Sequence, residues 1–366
     1  MKKAISLFLA ILMVVGLVPA LDLSAAAEDG LIEVRTVADL DAVRNNPTGN
    51  YILLNDIDLT AATAPGGDYD YNGTGWLPIY NGTGWLPISS FSGTFDGNGH
   101  SITGMRIQGD IPIENIGLFG IVNGTVKNLA LLDVNINVAQ SGSALRTLNC
   151  GAIAGCLYGG EIENCVVSGT VSTSVTTEDT ATDSTENNTG GICGIADTAT
   201  VTQCTNKASL HGGAKRTGNY VEGDAAHSAT SNCGGICGYA TKSSSTFSYC
   251  VNNGSVSCTS EVGGNDSAVA HATGICQGSG SKTTITLCVN NGSVDSTASA
   301  SEKHETYAYG IGKGKITYCI NTGVISSSGG DKSRCAIGEA SAPAAKSSRK
   351  NKPPAHTDLQ RWLGTV

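Results

Sequence analysis

Large and charged side chains are scarce in this chain of 366 residues: aromatics make up 5% and Asp, Glu, Lys and Arg together 14%. An ordinary globular core uses more bulky side chains, and helical folds use more strong helix formers, so neither class fits. Positive charge is also short, with 22 Lys and Arg against 31 Asp and Glu. A net charge of −9 without a basic arm in the repeats argues against a phosphate backbone as partner, and nucleic-acid binding is set aside. Beyond residue 27 no apolar run approaches the roughly 20 residues that a spanning helix needs. Gly-x-Ser-x-Gly and His-Glu-x-x-His are absent. The six histidines are scattered, and of the 13 cysteines only Cys233 and Cys237 stand as close as a zinc pair would. No metal and no cofactor is expected.

What the chain has in abundance is glycine, 48 residues, and repetition. An eleven-residue phrase recurs as EIENCVVSGTV (161–171), TVTQCTNKASL (200–210), TFSYCVNNGSV (246–256), TITLCVNNGSV (284–294) and KITYCINTGVI (315–325). A second phrase precedes each copy: GAIAG (151–155), GGICG (190–194), GGICG (234–238), TGICQ (273–277) and YGIGK (309–313). Units returning every 31 to 46 residues signal a solenoid, in which each unit buries its apolar face against its neighbours.

Within the phrase, Ile285, Cys288, Asn290 and Val294 recur at the offsets of Ile316, Cys319, Asn321 and Ile325. Alternate residues of a strand point inward, and Asn-Gly supplies a corner at which φ turns positive. The phrase reads as strand, turn, strand, with Gly-Ile-Cys-Gly as a third strand closing a coil of about 22 residues. About six or seven such coils are expected over 115–338. The polar stretches 172–189, 212–232, 259–272 and 296–308 read as variable loops leaving one corner. The fold class expected is all-β: a right-handed parallel β-helix (β-solenoid) with an N-terminal capping region.

The rest of the chain divides around this body. Residues 1–27 read as a signal peptide: Lys2 and Lys3, an apolar stretch from Ala4 to Val18, and Ala25-Ala26-Ala27 before Glu28. Residues 28–110 read as the cap and entry to the solenoid. They hold a helical pattern with Thr36 as N-cap and Val37, Leu40 and Val43 on one face. NYILLNDIDL (50–59) reads as extended, and YNGTGWLPI (71–79) is copied word for word at 80–88. Residues 111–340 are the repeat region, and 341–366 an irregular, disordered tail. The series of a W-L-P-I phrase, FSGTFDGNGHSI (91–102), GLFG (117–120), NLAL (128–131) and the repeated Gly-Ile-x-Gly and I-x-x-C-x-N-x-G-x-V phrases resembles the GLUG-motif proteins of bacterial cell surfaces. The resemblance covers roughly 31–338 and implies a parallel β-helix on an exported, adhesin-like protein. It carries no catalytic residues over.

Cys165, Cys204, Cys250, Cys288 and Cys319 fall at one repeat position, and Cys193, Cys237 and Cys276 at another. They read as inward ladders of small apolar side chains, whose parallel Cβ vectors would strain a disulfide. Cys150, Cys156, Cys233, Cys258 and Cys335 lie off the ladders and are the candidates for pairing. Asn206, Asn252, Asn290 and Asn321 form an amide column that reads as structural. Asp96 and His100 have the residue types for acid–base chemistry, but Asp-Gly-Asn-Gly is also a turn sequence. Asp56 and Asp58 share a strand face without a close third carboxylate for calcium. Glycoside hydrolysis needs paired carboxylates, and those of the repeat region sit mainly in the polar stretches without a common offset. The expectation is therefore a non-enzymatic, secreted or surface-displayed binding module. Its partner would be an extracellular glycan or cell-surface protein, and the chain would be monomeric or part of a longer multidomain protein. A polysaccharide lyase or hydrolase is the alternative.

Overall fold

The structure, a computed structural model, describes residues 30–335 except 71–89, 112, 143–146, 179–183, 218–227, 264–266, 301–302 and 330. The expected signal peptide, the duplicated phrase and the tail lie outside the described residues. From Ile32 onward the chain is one compact unit.

The backbone circulates through four sheets. One circuit runs from Thr200–Thr202 in sheet I to Thr205–Asn206 and Ser209–Thr217 in sheet II, then to Ser228–Gly234 in sheet III, Cys237–Ala240 in sheet IV, and back to sheet I at Thr246–Ser248. Neighbouring rungs pair in parallel and almost always in register, as in Val201↔Phe247, Phe247↔Ile285 and Ile285↔Ile316. The described chain is thus a parallel β-helix. Between 115 and 335 sheet I has six rungs, beginning with Thr125–Lys127 and ending with Lys315–Thr317. Sheet I also runs through residue 110 without a break: Leu31–Val34, Asn50–Leu53 and Thr94–Asp96 are its first three strands. The segment before 110 therefore supplies rungs of the solenoid.

Between the first two of these strands lies the helix Val37–Ala42, followed by a 3-10 turn, Val43–Asn45. It is closed by a capping box in which the Asp39 N–H donates to Thr36 Oγ1 at 3.2 Å and the Thr36 N–H to Asp39 Oδ2 at 3.0 Å. Leu40 and Val43 are buried and Val37 partly so.

Two features of the coil differ from the sequence reading. There are four sheets, because Gly-Gly-Ile-Cys-Gly is the sharp corner between sheets III and IV and only its Cys opens a strand. A Cβ on Gly190 would stand 1.9 Å from the Cys193 carbonyl oxygen, so this fold of the backbone over itself admits only glycine. The positive-φ corner is also elsewhere. It falls on the residue before each ladder cysteine: Asn164 (φ 48°), Gln203 (54°), Tyr249 (55°), Leu287 (53°) and Tyr318 (55°). The glycines of Asn-x-Gly, Gly254, Gly292 and Gly323, are needed for close approach instead. A Cβ on any of them would lie 1.8–1.9 Å from the carbonyl oxygen one rung before.

The largest correction concerns the polar stretches. Their described residues are largely strand rather than loop: Val166–Glu178, Ser209–Thr217, Val256–Val262 and Val294–Ser299 carry sheet II outward. The chain returns in sheet III as Thr185–Gly190, Ser228–Gly234, Ser267–Thr273 and Lys303–Tyr309. The two extensions face each other and form a two-layered fin on the solenoid shaft. Its interior has a small apolar cluster, Ala214, Ala229, Val262, Ala268, Ala270 and Ala298. Buried hydroxyls flank it: Thr185 Oγ1 donates to Thr177 Oγ1 at 2.7 Å, Ser260 Oγ to the Ala229 carbonyl at 2.7 Å and Ser296 Oγ to the Ala270 carbonyl at 2.9 Å. Each of these hydroxyls has a partner, which makes a hydroxyl-rich interior tolerable. A disulfide between Cys233 of sheet III and Cys258 of sheet II ties the layers together, with Cα atoms 5.7 Å apart.

Candidate functional site

The side chains singled out in the sequence fall into ladders inside the shaft. Asn206, Asn252, Asn290 and Asn321 stack, each Nδ2 donating to the next Oδ1 at 2.8, 2.7 and 2.7 Å. The same Nδ2 atoms donate to the carbonyls two residues on: Ala208, Gly254, Gly292 and Gly323, at 2.9–3.1 Å. These amide donors are spent on structure, and Asn206, Asn252 and Asn290 are fully buried.

Beside them, Cys165, Cys204, Cys250, Cys288 and Cys319 carry free thiols. Each sulfur lies 3.1–3.4 Å from the carbonyl oxygen two residues before it. Burial raises the Cys204 and Cys288 thiols well above the ordinary range. Cys319, on the last rung, is only partly buried. Its pKa is lowered by the adjoining Cys288 thiol, with further help from the Cys288 N–H, 3.5 Å from its sulfur. Of the off-ladder cysteines, Cys150 and Cys156 are free.

Asp96 and His100 do not meet as an acid–base pair. Asp96 Oδ1 accepts from the Asn98 N–H at 2.8 Å and from Asn128 Nδ2 at 3.0 Å, closing the turn at Asn98 (φ 51°). His100 Nδ1 instead lies 3.4 Å from Asp56 Oδ1. The two acids weighed for calcium are separately engaged: Asp56 accepts the Ser101 N–H and Asp58 the Thr60 N–H. Among the described residues no group of three His, Cys, Asp or Glu is placed to hold a metal, and no helix is long and apolar enough to cross a membrane.

A site not foreseen lies outside the shaft, where the outer face of sheet III meets that of sheet IV below the fin. Along sheet III runs the column Asn115, Asn149, Asn188, Asn232, His271, Tyr307. Along sheet IV runs Ile121, Cys156, Ile195, Tyr239, Gln277, Lys313. The asparagines form a second amide ladder: Asn149 Nδ2 donates to Asn115 Oδ1 at 3.0 Å, Asn188 to Asn149 at 2.9 Å and Asn232 to Asn188 at 2.9 Å. Where it ends, the His271 ring stacks on Tyr307 with centroids 4.6 Å apart and planes 14° from parallel. A cavity of about 420 Å³ opens there, lined by Glu186, Tyr239, Lys242, His271, Gln277 and Lys313 among others.

Three buried atoms of residues that line this cavity lack hydrogen-bond partners: His271 Nδ1, Gln277 Oε1 and Ser279 Oγ. Gln277 is 5% exposed; the His271 residue is half-buried but its Nδ1 is fully enclosed. A buried polar atom without a partner costs about 1–3 kcal/mol. Burial, reinforced by the Lys313 ammonium, pushes His271 down to about 4, so its ring is neutral at pH 7. Burial raises the Glu186 carboxyl, against the Asn188 amide and with the Glu114 carboxylate adding to the rise. Burial also raises the Tyr239 phenol. The groove thus joins a neutral imidazole, a carboxyl with raised proton affinity, a phenol and an ammonium. The first column was legible in the sequence: Asn149, Asn188, Asn232, His271 and Tyr307 all stand four residues before the Ile of the second phrase. Its changing residue type hid it.

No protein-family model matches the chain, and no curated protein matches it. Solved structures are similar, two of them as follows. One is described as a putative immunoglobulin A1 protease from Bacteroides ovatus, 17% identical over 84% of this chain and 84% of that one, with a TM-score of 0.48. The other, described as an IgA1 Protease, is 14% identical over 83% of this chain and 20% of that one, with a TM-score of 0.42. The expectation of a non-enzymatic chain is corrected on this comparison, since both neighbours bear the names of peptidases. It had also rested on acids in the polar stretches and had overlooked the titratable side chains of the groove.

Proposed function

We propose that this chain is a β-helix module of an exported bacterial protein and that the groove between fin and shaft takes an extended glycan. The observation that carries the reading is one cavity of about 420 Å³ lined by the Tyr239 phenol, the His271 imidazole, the Gln277 amide and the Lys242 ammonium, beside a stacked aromatic pair. Sugars present apolar ring faces, which suit aromatic side chains, and hydroxyls, which suit amides and imidazoles. The amide column leading away from the cavity over successive rungs suits a polymer better than a single sugar. The leader at 1–27 supports export, and the resemblance to GLUG-motif proteins supports display at a cell surface.

The test is a glycan array probed with residues 28–340, with a parallel assay for cleavage of each retained polysaccharide. Retention that is lost in Gln277→Leu and Tyr307→Ala supports the reading. Turnover abolished by the same changes would assign the groove a catalytic role as well. Retention unaffected by either change, or no retention of any glycan, refutes the groove as a glycan site.

A further inference from the structure

We infer that the corner between sheets IV and I holds a pocket for a tetrahedral oxyanion, a sulfate or phosphate ester group carried on a larger molecule. On most rungs this corner is tight. It takes residues 123–124, 159–160 and 198–199, lengthens to 241–245 and 279–283 on two adjacent rungs, and shortens again to 314. The two longer connections read Thr-Lys-Ser-Ser-Ser and Ser-Gly-Ser-Lys-Thr. Lengthened connections that stack on one side of a solenoid are where binding surfaces arise. Here they border a cavity of about 190 Å³ lined by Lys242, Ser279, Gly280, Ser281 and Lys282. That volume lies below the roughly 300–1,000 Å³ of a pocket for a whole small ligand, so it suits one pendant group.

The lining is rich in donors that the protein leaves unused. Lys242 and Lys282 are both exposed, and among the described residues neither ammonium has an ion-pair or hydrogen-bond partner. The N–H groups of Gly280, Ser281 and Lys282 make no backbone hydrogen bond there either. Asp197, the carboxylate of the same corner one rung earlier, accepts from Thr198 Oγ1 at 2.8 Å and is not part of the lining. Gly280 serves neither a left-handed turn nor close packing: its φ is not positive, and a Cβ there would meet nothing within 4 Å. What the glycine does is leave the backbone uncovered at the cavity. No arginine lines it, so the planar fork that pairs with a carboxylate is missing. Point-charge ammonium groups, hydroxyls and successive N–H groups from two loops suit the three free oxygens of a sulfate or phosphate ester.

The experiment measures binding of the full chain to dextran sulfate, dextran phosphate and carboxymethyl dextran of matched charge density, at an ionic strength of about 0.15 M. The backbone is the same in all three, so only the pendant group differs. Lys242 and Ser279 also border the groove cavity, whereas Lys282 lines this pocket and not that one, so Lys282→Met is the diagnostic variant. Lys207→Met removes an exposed ammonium outside the pocket and serves as the control for net charge. The wild type should bind one of the two esters at least about tenfold more tightly than carboxymethyl dextran, by charge-assisted hydrogen bonds. Which ester it prefers tells a sulfated polymer from a phosphorylated one. Lys282→Met should bring both esters down to the level of carboxymethyl dextran at an unchanged melting temperature, and Lys207→Met should keep the preference. Carboxymethyl dextran bound as tightly as both esters would overturn the oxyanion pocket. An equal loss in Lys207→Met, or no binding of either ester, would overturn it too, and the glycan array tests the groove separately.

Discussion

Gly235 lies so close beneath the amide of Asn252 that a Cβ built on it would stand 2.3 Å from Asn252 Cγ. Gly191 stands in the same relation to Asn206, at 2.5 Å, and Gly274 to Asn290, at 2.5 Å. This contact joins the two repeated phrases. The glycine of one leaves the space that the amide ladder of the other fills, so neither phrase can drift without the other.

Gly235→Ala should therefore destabilise the protein by at least about 1–3 kcal/mol, the usual cost of overpacking a filled interior. A methyl group on Gly280 would meet nothing within 4 Å, and Gly280→Ala should change stability by less than about 0.5 kcal/mol. Urea unfolding followed by circular dichroism compares the two. Equal midpoints would show that the ladder yields to accommodate a methyl group.

Leu287 holds φ at 53°, a left-handed conformation that costs a branched side chain roughly 1–2 kcal/mol. Asn164 occupies the same corner on an earlier rung, with φ at 48°. Leu287→Asn should raise stability by about 0.5–1 kcal/mol, because asparagine tolerates this region. A lowered melting temperature would mean that Leu287 contributes packing that outweighs its strain.

The ladder thiols should differ sharply in reactivity. Burial raises Cys204 and Cys288, whereas Cys319 is partly exposed and lowered by its contact with Cys288. Alkylation of the native protein near pH 8 should label Cys319 first and leave Cys204 and Cys288 unmodified until the shaft unfolds. Mass spectrometry of timed samples reads this directly. Early labelling of Cys204 would show that the middle rungs open locally.

Two groove residues make stability depend on pH in opposite ways. His271 is lowered in the folded state from an ordinary 6.5 to about 4, so the unfolded chain binds the extra proton. Its neutral burial costs nothing above pH 6.5 and increasingly destabilises the fold as pH falls toward 4. Glu186 is raised, so the folded state holds the extra proton, and its penalty appears as pH rises through the carboxylate range. His271→Gln should flatten the fall in melting temperature on acidification, and Glu186→Gln should flatten the fall that accompanies the rise of pH through the carboxylate range. Unchanged profiles would mean that both groups are solvated like free side chains.

The shaft was legible because its repeats are literal: Ile285 and Ile316, or Cys288 and Cys319, recur at fixed offsets, and a fixed offset in a coil means stacking. The fin was not legible as structure. In the strand Ser209–Thr217, alternate residues from Leu210 to Arg216 are buried, so the period of two is present. Its inward residues are Leu, Gly, Ala and Arg, a set that an apolar-alternation rule reads as loop. The same holds for Thr173, Val175 and Thr177. The positive-φ corner was misplaced for a related reason. Asn-x-Gly carries the residues that favour such a corner, while the backbone used Gln203, Tyr249, Leu287 and Tyr318, which do not. The groove escaped because its two columns come from different sheets and change from amide to aromatic along their length.

Hydroxyl-radical footprinting of the protein with and without a glycan retained on the array tests the central claim most directly. Tyr239, His271 and Tyr307 border the groove, while Tyr158, Tyr249 and Tyr318 are 57%, 43% and 52% exposed and serve as internal references. Protection of Tyr239, His271 and Tyr307 with the three reference tyrosines unchanged is the predicted result. Protection confined to Tyr158, Tyr249 or Tyr318, with the groove residues oxidised as fast as before, would contradict it.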